Sequence, residues 1–467
     1  MTTLTPLTHL MSSRSDSSLA IAYQQNSTLL TRQHFAGQVK AWYEVFSQSE
    51  VSCWGVYTRD SYLFATILVA LWYAKKEVIL LGDNLSQSIV NVADYAEGLV
   101  GEFSPDDLGK SHYKGKYLEA VHFPETDSVF VCEDALDESA VAMSVFTSGS
   151  TGEPKKIAIR FYQLINEIES HEARWGGELA QAPVAATVSH QHLYGLIFKV
   201  LWPLSAGRAF INHNISVVEE LSILAKYHSR LTVVTTPSHL SRLPDTIDWS
   251  DLEGTWSKVF SSAAPLSLAA SQEARQKFKC DVTEIYGSSE TGGIAWRQQT
   301  AATGSAWQRF SEVQIAQDEK SGVLKLSSRF MTSSKWYTTA DIVTLLSPDS
   351  FTLQGRIDRI AKVEGKRVSL TAIEQTLEAS AWVQQARVIT FEDNRVQTGA
   401  VVILSVKGGQ ALLEQGRKFL VVTLKKLLSE SFETVVLPRK WRFVDEFPAD
   451  MQGKVTRQKM LQLFIDE

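Results

Sequence analysis

The chain has 467 residues, of which 44% are hydrophobic and 21% charged, with a formal net charge of −6 at pH 7. That length exceeds one ordinary compact core and calls for two or more domains, and the apolar content with no low-complexity tract excludes a disordered protein. The mild acidity gives no reason to expect nucleic acid as a partner, and the longest apolar run, 63–74, is too short to span a bilayer.

Met1 to Ser18 is polar, with no apolar stretch behind a basic start, so no secretory signal is expected and the cytoplasm is the expected compartment. Run 63–74 reads as a buried helix. Cys53, Cys132 and Cys280 are odd in number and widely spaced, which fits neither a disulfide framework nor a zinc site, and they read as buried thiols. Short β-branched and aromatic runs at 128–132, 185–188, 208–211, 231–235 and 258–260 alternate with helical patterns at 162–174 and 216–227. Such alternation marks stacked α/β layers with partly parallel sheets. After Tyr286 the texture turns to shorter strands, including 322–327 and 342–346, which predicts a β-rich subdomain. Beyond Asp358 come a helix at 370–378, strands at 386–391 and 399–406, and a helix at 411–430. The expected fold class is therefore α/β: a large multi-layered N-terminal domain over 1–357 and a small, mobile α+β domain over 358–467. From Arg356 onward there are 18 Lys and Arg against 14 Asp and Glu, a segment of about +4 that suits an acidic partner, or is simply a solvated surface.

One segment stands out chemically, Ser148-Gly149-Ser150-Thr151-Gly152-Glu153-Pro154-Lys155. Glycines let a backbone wrap an anion, hydroxyls donate to it, and Lys155 with Lys156 adds positive charge, so the loop suits a polyphosphate. Its spacing is wrong for a Walker loop. With Thr147 before it, the segment resembles the phosphate loop of the adenylate-forming (AMP-binding) superfamily, which includes acyl-CoA synthetases, aryl-acid ligases, peptide-synthetase adenylation domains and luciferases. Further motifs follow in the order this resemblance implies. Tyr286-Gly287-Ser288-Ser289-Glu290 resembles the aromatic-Gly-x-Thr-Glu motif, and Tyr337-Thr338-Thr339-Ala340-Asp341 the Tyr-x-x-Gly-Asp motif. Gly355-Arg356-Ile357-Asp358 with Lys362, Gly365 and Arg367 resembles the hinge signature, and Gly453-Lys454 the C-terminal lysine motif.

The resemblance implies an enzyme that activates a carboxylic acid with ATP and Mg²⁺ and passes the acyl group to a thiol. Thr147, Ser148, Gly149, Ser150, Thr151, Gly152 and Lys155 would cradle the phosphates, Glu290 would hold Mg²⁺, Tyr286 with Gly287 would cover the adenine, and Ser289 would bond the α-phosphate. Asp341 and Arg356 would hold the ribose. Lys454 would stabilise the transition state of adenylation. Asp358 would be the hinge on which the final lobe turns, and Gly365 would let a pantetheine arm pass in the second half-reaction.

The region 182–218 contains no Asp or Glu, although amino-acid-activating relatives place an acidic anchor there, so a free amino acid is disfavoured. His192-Leu193-Tyr194-Gly195 resembles the substrate-gating motif of aryl and acyl ligases. Ser262-Ala263-Ala264-Pro265-Leu266 resembles the small-residue strand end lining the acid pocket, with Ala263 and Ala264 leaving room for a ring. Phe198 and Trp202, at helical spacing, and Trp307 read as core. The acceptor thiol would belong to CoA or to the phosphopantetheine of a separate acyl carrier protein. An amino-acid adenylation enzyme, a luciferase-like oxygenase and a non-catalytic ATP-binding relative are the alternatives. Retention of Glu290 and Lys454 argues against the last.

Overall fold

The computed structural model describes residues 4–13, 17–24, 28–125, 128–148, 154–300, 304–363, 366–392, 396–448, 455 and 457–464. The chain divides into two compact units, one of residues 1–314 with 327–335 and one of residues 315–326 with 336–467.

In the first unit one sheet runs in the order Lys116–Glu119, Gly98–Gly101, Cys53–Tyr57, Glu77–Leu80, Val141–Ser148, Pro154–Arg160. Neighbours are parallel except the last pair, which is antiparallel. Parallel strands need a crossover, and the helix Ser61–Tyr73, every residue of it buried, supplies the one between Cys53–Tyr57 and Glu77–Leu80. A helix apolar on all sides must be covered all round, which is what run 63–74 predicts. Asp60 caps it, Oδ1 accepting from Tyr62 N at 2.8 Å and Leu63 N at 3.0 Å.

A second sheet gives this unit the order Trp307–Arg309, Gly292–Arg297, Val282–Ser288, Trp256–Ser261, Leu231–Thr235, Val184–Ala186, Phe210–Ile211, Ala20–Tyr23, Leu29–Thr31. From Val282–Ser288 to Ala20–Tyr23 the strands are all parallel. The central strand Leu231–Thr235 is buried along its whole length, as a parallel strand covered on both faces must be. The helix Phe161–Leu179 follows directly from the strand Pro154–Arg160. It buries Phe161, Leu164, Ile168, His171, Trp175 and Leu179 at the helical period.

In the second unit Val323–Ser328, Tyr337–Ser347 and Ser350–Arg356 form an antiparallel meander. Then come the ladder Ile360–Val363 with Lys366–Ser369, the helix Leu370–Glu378, and a sheet of Val383–Glu392, Val396–Leu404 and Lys440–Phe443. Ile373, Leu377, Val388, Val402, Leu420, Leu424 and Trp441 fill its core.

Several sequence expectations need correction. Residues 128–132 form no strand. They are pinned by isolated backbone bonds, Phe130 N to Ala36 O and Cys132 N to Met11 O, and Val129 and Val131 face solvent. Of the three free cysteines only Cys53 is fully buried. The strand expected at 399–406 ends at Leu404, because Ser405 Oγ accepts from Gly408 N at 3.1 Å and caps the helix Val406–Ser429, which kinks at Gly416. No helix among the described residues is long and apolar enough to cross a membrane.

Candidate active site

Four adjacent parallel strands, Val184–Ala186, Leu231–Thr235, Trp256–Ser261 and Val282–Ser288, end on one edge of the second sheet. Ligands of open α/β sheets bind outside the carboxyl ends of such strands. The segments leaving this edge carry His192, Tyr194 and Gly195 after the first strand, Ala263 and Ala264 after the third, and Tyr286 to Glu290 on the fourth and its turn. Side chains bind these segments to one another. Tyr194 OH donates to Thr235 O at 3.4 Å, Thr187 Oγ1 lies 2.8 Å from Thr235 Oγ1 and 3.2 Å from His239 Nδ1, and Ser262 Oγ donates to Ile285 O at 2.8 Å. Burial lowers the pKa of His239 from its ordinary value, with Arg242 adding to the effect.

Gly195 is dictated by a close approach, since a Cβ there would stand 2.1 Å from Ser189 O. Ala263 has φ 75°, a left-handed conformation that costs a side-chain-bearing residue about 1–2 kcal/mol. Ala263 and Ala264 are both exposed at the sheet edge, where small side chains leave the space open.

Glu290 sits in the turn Ser289-Glu290-Thr291 between Val282–Ser288 and Gly292–Arg297. Thr291 Oγ1 accepts from Ser288 N at 3.2 Å and donates to Gly292 O at 2.9 Å, and Gly292 takes φ 66°, the left-handed residue that closes a short hairpin loop. The Glu290 carboxylate is part-buried, and no hydrogen bond or ion pair to another described residue occupies it. Among the described residues no three His, Cys, Asp or Glu cluster to hold a metal. A lone, available carboxylate fits Mg²⁺, which keeps water and substrate phosphates as its other ligands, better than an all-protein cage would.

The Tyr286 ring stands 5.5 Å from that of Trp307, which is 4% exposed and lies under the Arg297 guanidinium at 4.4 Å. Trp307 is core, and it braces the tyrosine. Phe198 and Trp202 are core as well, both almost wholly buried.

In the first sheet Thr147 pairs with Lys155 across the antiparallel ladder of Val141–Ser148 and Pro154–Arg160. Lys155 is exposed, whereas Lys156, on the opposite face of the strand, reaches Glu77 Oε2 at 3.8 Å and the Tyr95 ring at 5.3 Å. Lys155 is thus the available cation of the two. Gly149, Ser150, Thr151 and Gly152 lie outside the described residues, as do Gly365 and Lys454. Ser148 is the last residue of its strand and pairs with Pro154.

In the second unit Asp341 and Arg356 are direct cross-strand partners, with Nη1 of the arginine 3.3 Å from Oδ1 of the aspartate. Thr339 Oγ1 accepts from Asp341 N at 3.0 Å and fixes the local backbone. Asp358 belongs to the short turn Ile357–Arg359, and Lys362 pairs with Arg367 in the ladder that follows.

Sequence reasoning missed two buried charged side chains near this edge, Lys199 and Glu167. Lys199 is fully buried and donates to His213 O at 3.0 Å and Asn214 Oδ1 at 2.7 Å; burial pulls its pKa down to about 7. His190 shares a hydrogen bond with Ser61 Oγ at 3.0 Å, and burial, with Lys199 nearby, pushes its pKa well down. The second group is Glu167, 5% exposed on the helix Phe161–Leu179. The signal in both cases is a charged residue interrupting an apolar helical face, Lys199 within 196–202 and Glu167 between Leu164 and Ile168. Asp60 also lies near His190. Burial opposes its charge, yet bonds from His122, Leu63 N and Asn212 hold its carboxyl below the usual range, and those partners occupy it.

A family model described as AMP-binding enzyme matches residues 80–324. Among curated proteins, the chain is 26% identical over 432 residues to a putative long chain fatty acid-CoA ligase, VraA, of Staphylococcus haemolyticus, covering 83% of this chain and 88% of that one. It is 27% identical over 331 residues to a 4-coumarate–CoA ligase of Rhodobacter capsulatus, covering 68% and 75%. Among solved structures, ATP-bound MatB from Rhodopseudomonas palustris superposes with a TM-score of 0.79 at 16% identity over 98% of each chain, a likeness of fold.

Proposed function

The chain belongs to the AMP-binding enzyme family, with the adenylate-forming fold, and from that premise we propose that it joins a carboxylic acid to a pantetheine thiol through an acyl- or aryl-adenylate. The observation that carries the reading is the convergence of the small-residue segment at Ala263, the gating segment at His192 to Gly195 and the Tyr286 to Glu290 hairpin on one carboxyl edge of parallel strands. An acid seated there would have an open, uncharged wall and an available carboxylate nearby.

In the first step a carboxylate oxygen attacks the α-phosphorus of ATP, an acyl–oxygen–phosphorus bond forms, and pyrophosphate leaves. The chain's work is to position two anions and to neutralise charge. Thr147, Ser148, Gly149, Ser150, Thr151, Gly152 and Lys155 receive the phosphates, Ser289 bonds the α-phosphate, and Tyr286 covers the adenine. Asp341 and Arg356 hold the ribose. When bound at Glu290, Mg²⁺ supplies charge neutralisation between the phosphates. Lys454 stabilises the forming bond. In the second step a thiolate attacks the acyl carbonyl and AMP leaves; Asp358 serves as hinge and Gly365 admits the pantetheine arm.

A free amino acid fits poorly. Region 182–218 has no acid, and the neighbouring Asp60 is occupied by its own cap and by Asn212. The test is acid-dependent exchange of labelled pyrophosphate into ATP with Mg²⁺ across benzoic, cinnamic, fatty and amino acids, followed by CoA and a pantetheinylated carrier protein as acceptors. Exchange with aryl or acyl acids supports the reading; exchange confined to amino acids overturns it.

A further inference from the structure

The turn that bears Glu290 is short, and its geometry depends on a residue from a distant part of the sequence. Glu167 Oε1 accepts from Gly293 N at 2.8 Å, three residues beyond Glu290. The contact is close on the other carboxylate oxygen too: a Cβ added to Gly292 would stand 2.7 Å from Glu167 Oε2. His171, one turn along the same helix and without solvent exposure, places Nε2 3.6 Å from Glu167 Oε1. Its ring is enclosed by Phe198, Trp202, Phe310 and Trp175, with centroids 4.7–5.6 Å away.

A buried carboxylate is expensive unless its oxygens are used. In the helix Phe161–Leu179 hydrophobic residues would fill the same space at lower cost, so an acid at position 167 marks a need for its acceptor oxygens. The helix is fastened elsewhere as well: Gln163 Nε2 donates to Phe330 O at 2.7 Å and Ser170 Oγ to Glu312 Oε2 at 2.7 Å. It therefore offers a rigid post, and it begins at Phe161, where the strand carrying Lys155 ends.

We propose that Glu167 is a positioning residue that tethers the Ser289-Glu290-Thr291 turn through Gly293 N. The helix Phe161–Leu179 thereby links the strand that leaves the phosphate loop to the turn that bears the metal-binding carboxylate. The inference rests on the reading of Glu290 given above. Without the tether the hairpin keeps its ladder and loses its fixed end, and displacement of a charged ligand group by about 1 Å can cost on the order of a hundredfold in rate.

The test compares Glu167→Ala, Glu167→Gln and Gly292→Ala by amide hydrogen exchange of the 286–297 hairpin and by calorimetric affinity for MgATP. Glu167→Ala is expected to speed exchange in that hairpin, leave the helix 161–179 protected, and weaken MgATP binding about tenfold or more, with ATP binding in the absence of Mg²⁺ little changed. Glu167→Gln, whose amide oxygen can still accept from Gly293 N, restores both readouts. Gly292→Ala, with left-handed φ and a Cβ against Glu167, reproduces the alanine phenotype and serves if Glu167→Ala does not fold. Equal effects of Ala and Gln at position 167, or unchanged hairpin exchange in the alanine variant, overturn the tether. A wild-type protein that does not bind MgATP would instead sink the reading of Glu290, and hairpin exchange alone would then decide the tether.

Discussion

Asp341 and Arg356 face each other across adjacent antiparallel strands, and the arginine leaves one side of the pair about half exposed while the carboxylate is held at 16% exposure. The arginine thus orients an acceptor without removing it from reach. If that acceptor holds ribose hydroxyls, Asp341→Asn should raise KM for ATP roughly tenfold to a hundredfold, the worth of hydrogen bonds to a charged group. KM for the acid should hardly change. Initial rates of pyrophosphate exchange at varied ATP and varied acid separate the two, and equal changes in both constants would contradict the ribose role.

Ala263 holds a left-handed conformation at an exposed sheet edge, so its effect on stability comes from the backbone more than from contacts. Ala263→Gly removes a steric cost of about 1–2 kcal/mol and adds unfolded-state entropy of about 0.4–1 kcal/mol, so thermal stability should rise slightly. Ala263→Val, β-branched at positive φ, should destabilise by about 1–2 kcal/mol or more and narrow the edge. Thermal unfolding of both variants checks the order; a stable valine variant would mean the backbone there relaxes freely.

Much of this was legible in the chain. Run 63–74 announced a buried helix because no polar face interrupts it, and Leu231–Thr235 was read to the residue because its β-branched residues mark a short strand. Local patterning failed at 128–132, where β-branched residues lie exposed on an unpaired segment. Pairing is a tertiary fact that propensity does not contain. Candidate site residues can be named where they sit in short local motifs, as Tyr286 to Glu290 do. Glu167 was not, because its partner Gly293 is 126 residues away and no spacing connects them. Lys156 was misjudged for a simpler reason: neighbours in a strand face opposite ways, so a lysine pair is not a doubled charge.

The two proposed half-reactions call on different residues, and that division is testable without geometry. Lys454→Ala should abolish adenylate formation, by a factor on the order of 10² or more expected for loss of one transition-state donor, while thioester formation from supplied acyl-adenylate continues. A bulky residue at Gly365, such as Gly365→Trp, should do the reverse. Pyrophosphate exchange reads the first step and thiol consumption from synthetic adenylate the second. Loss of the same step in both variants would refute the division.

Lys199 gives a pH signature in the folded state. Its folded pKa is pulled down to about 7 by burial, against an ordinary value of 10.5, while Asp60 pulls it the other way. Between these values the unfolded chain binds a proton that the folded chain does not, so this group makes stability rise with pH from about 7 to 10.5. Below the folded value both states are protonated and its contribution is flat and unfavourable, because the charged amine is then buried. Lys199→Met should therefore reduce the rise in thermal stability across that window, although it leaves His213 O and Asn214 Oδ1 without their donor and can lower stability at every pH. The slope is the diagnostic and the absolute value is not. Unfolding temperatures at pH 6.5, 7.5, 8.5 and 9.5 for both proteins decide it, and parallel curves would show that Lys199 keeps its proton in the folded state, with the nearby Asp60 carboxylate outweighing burial.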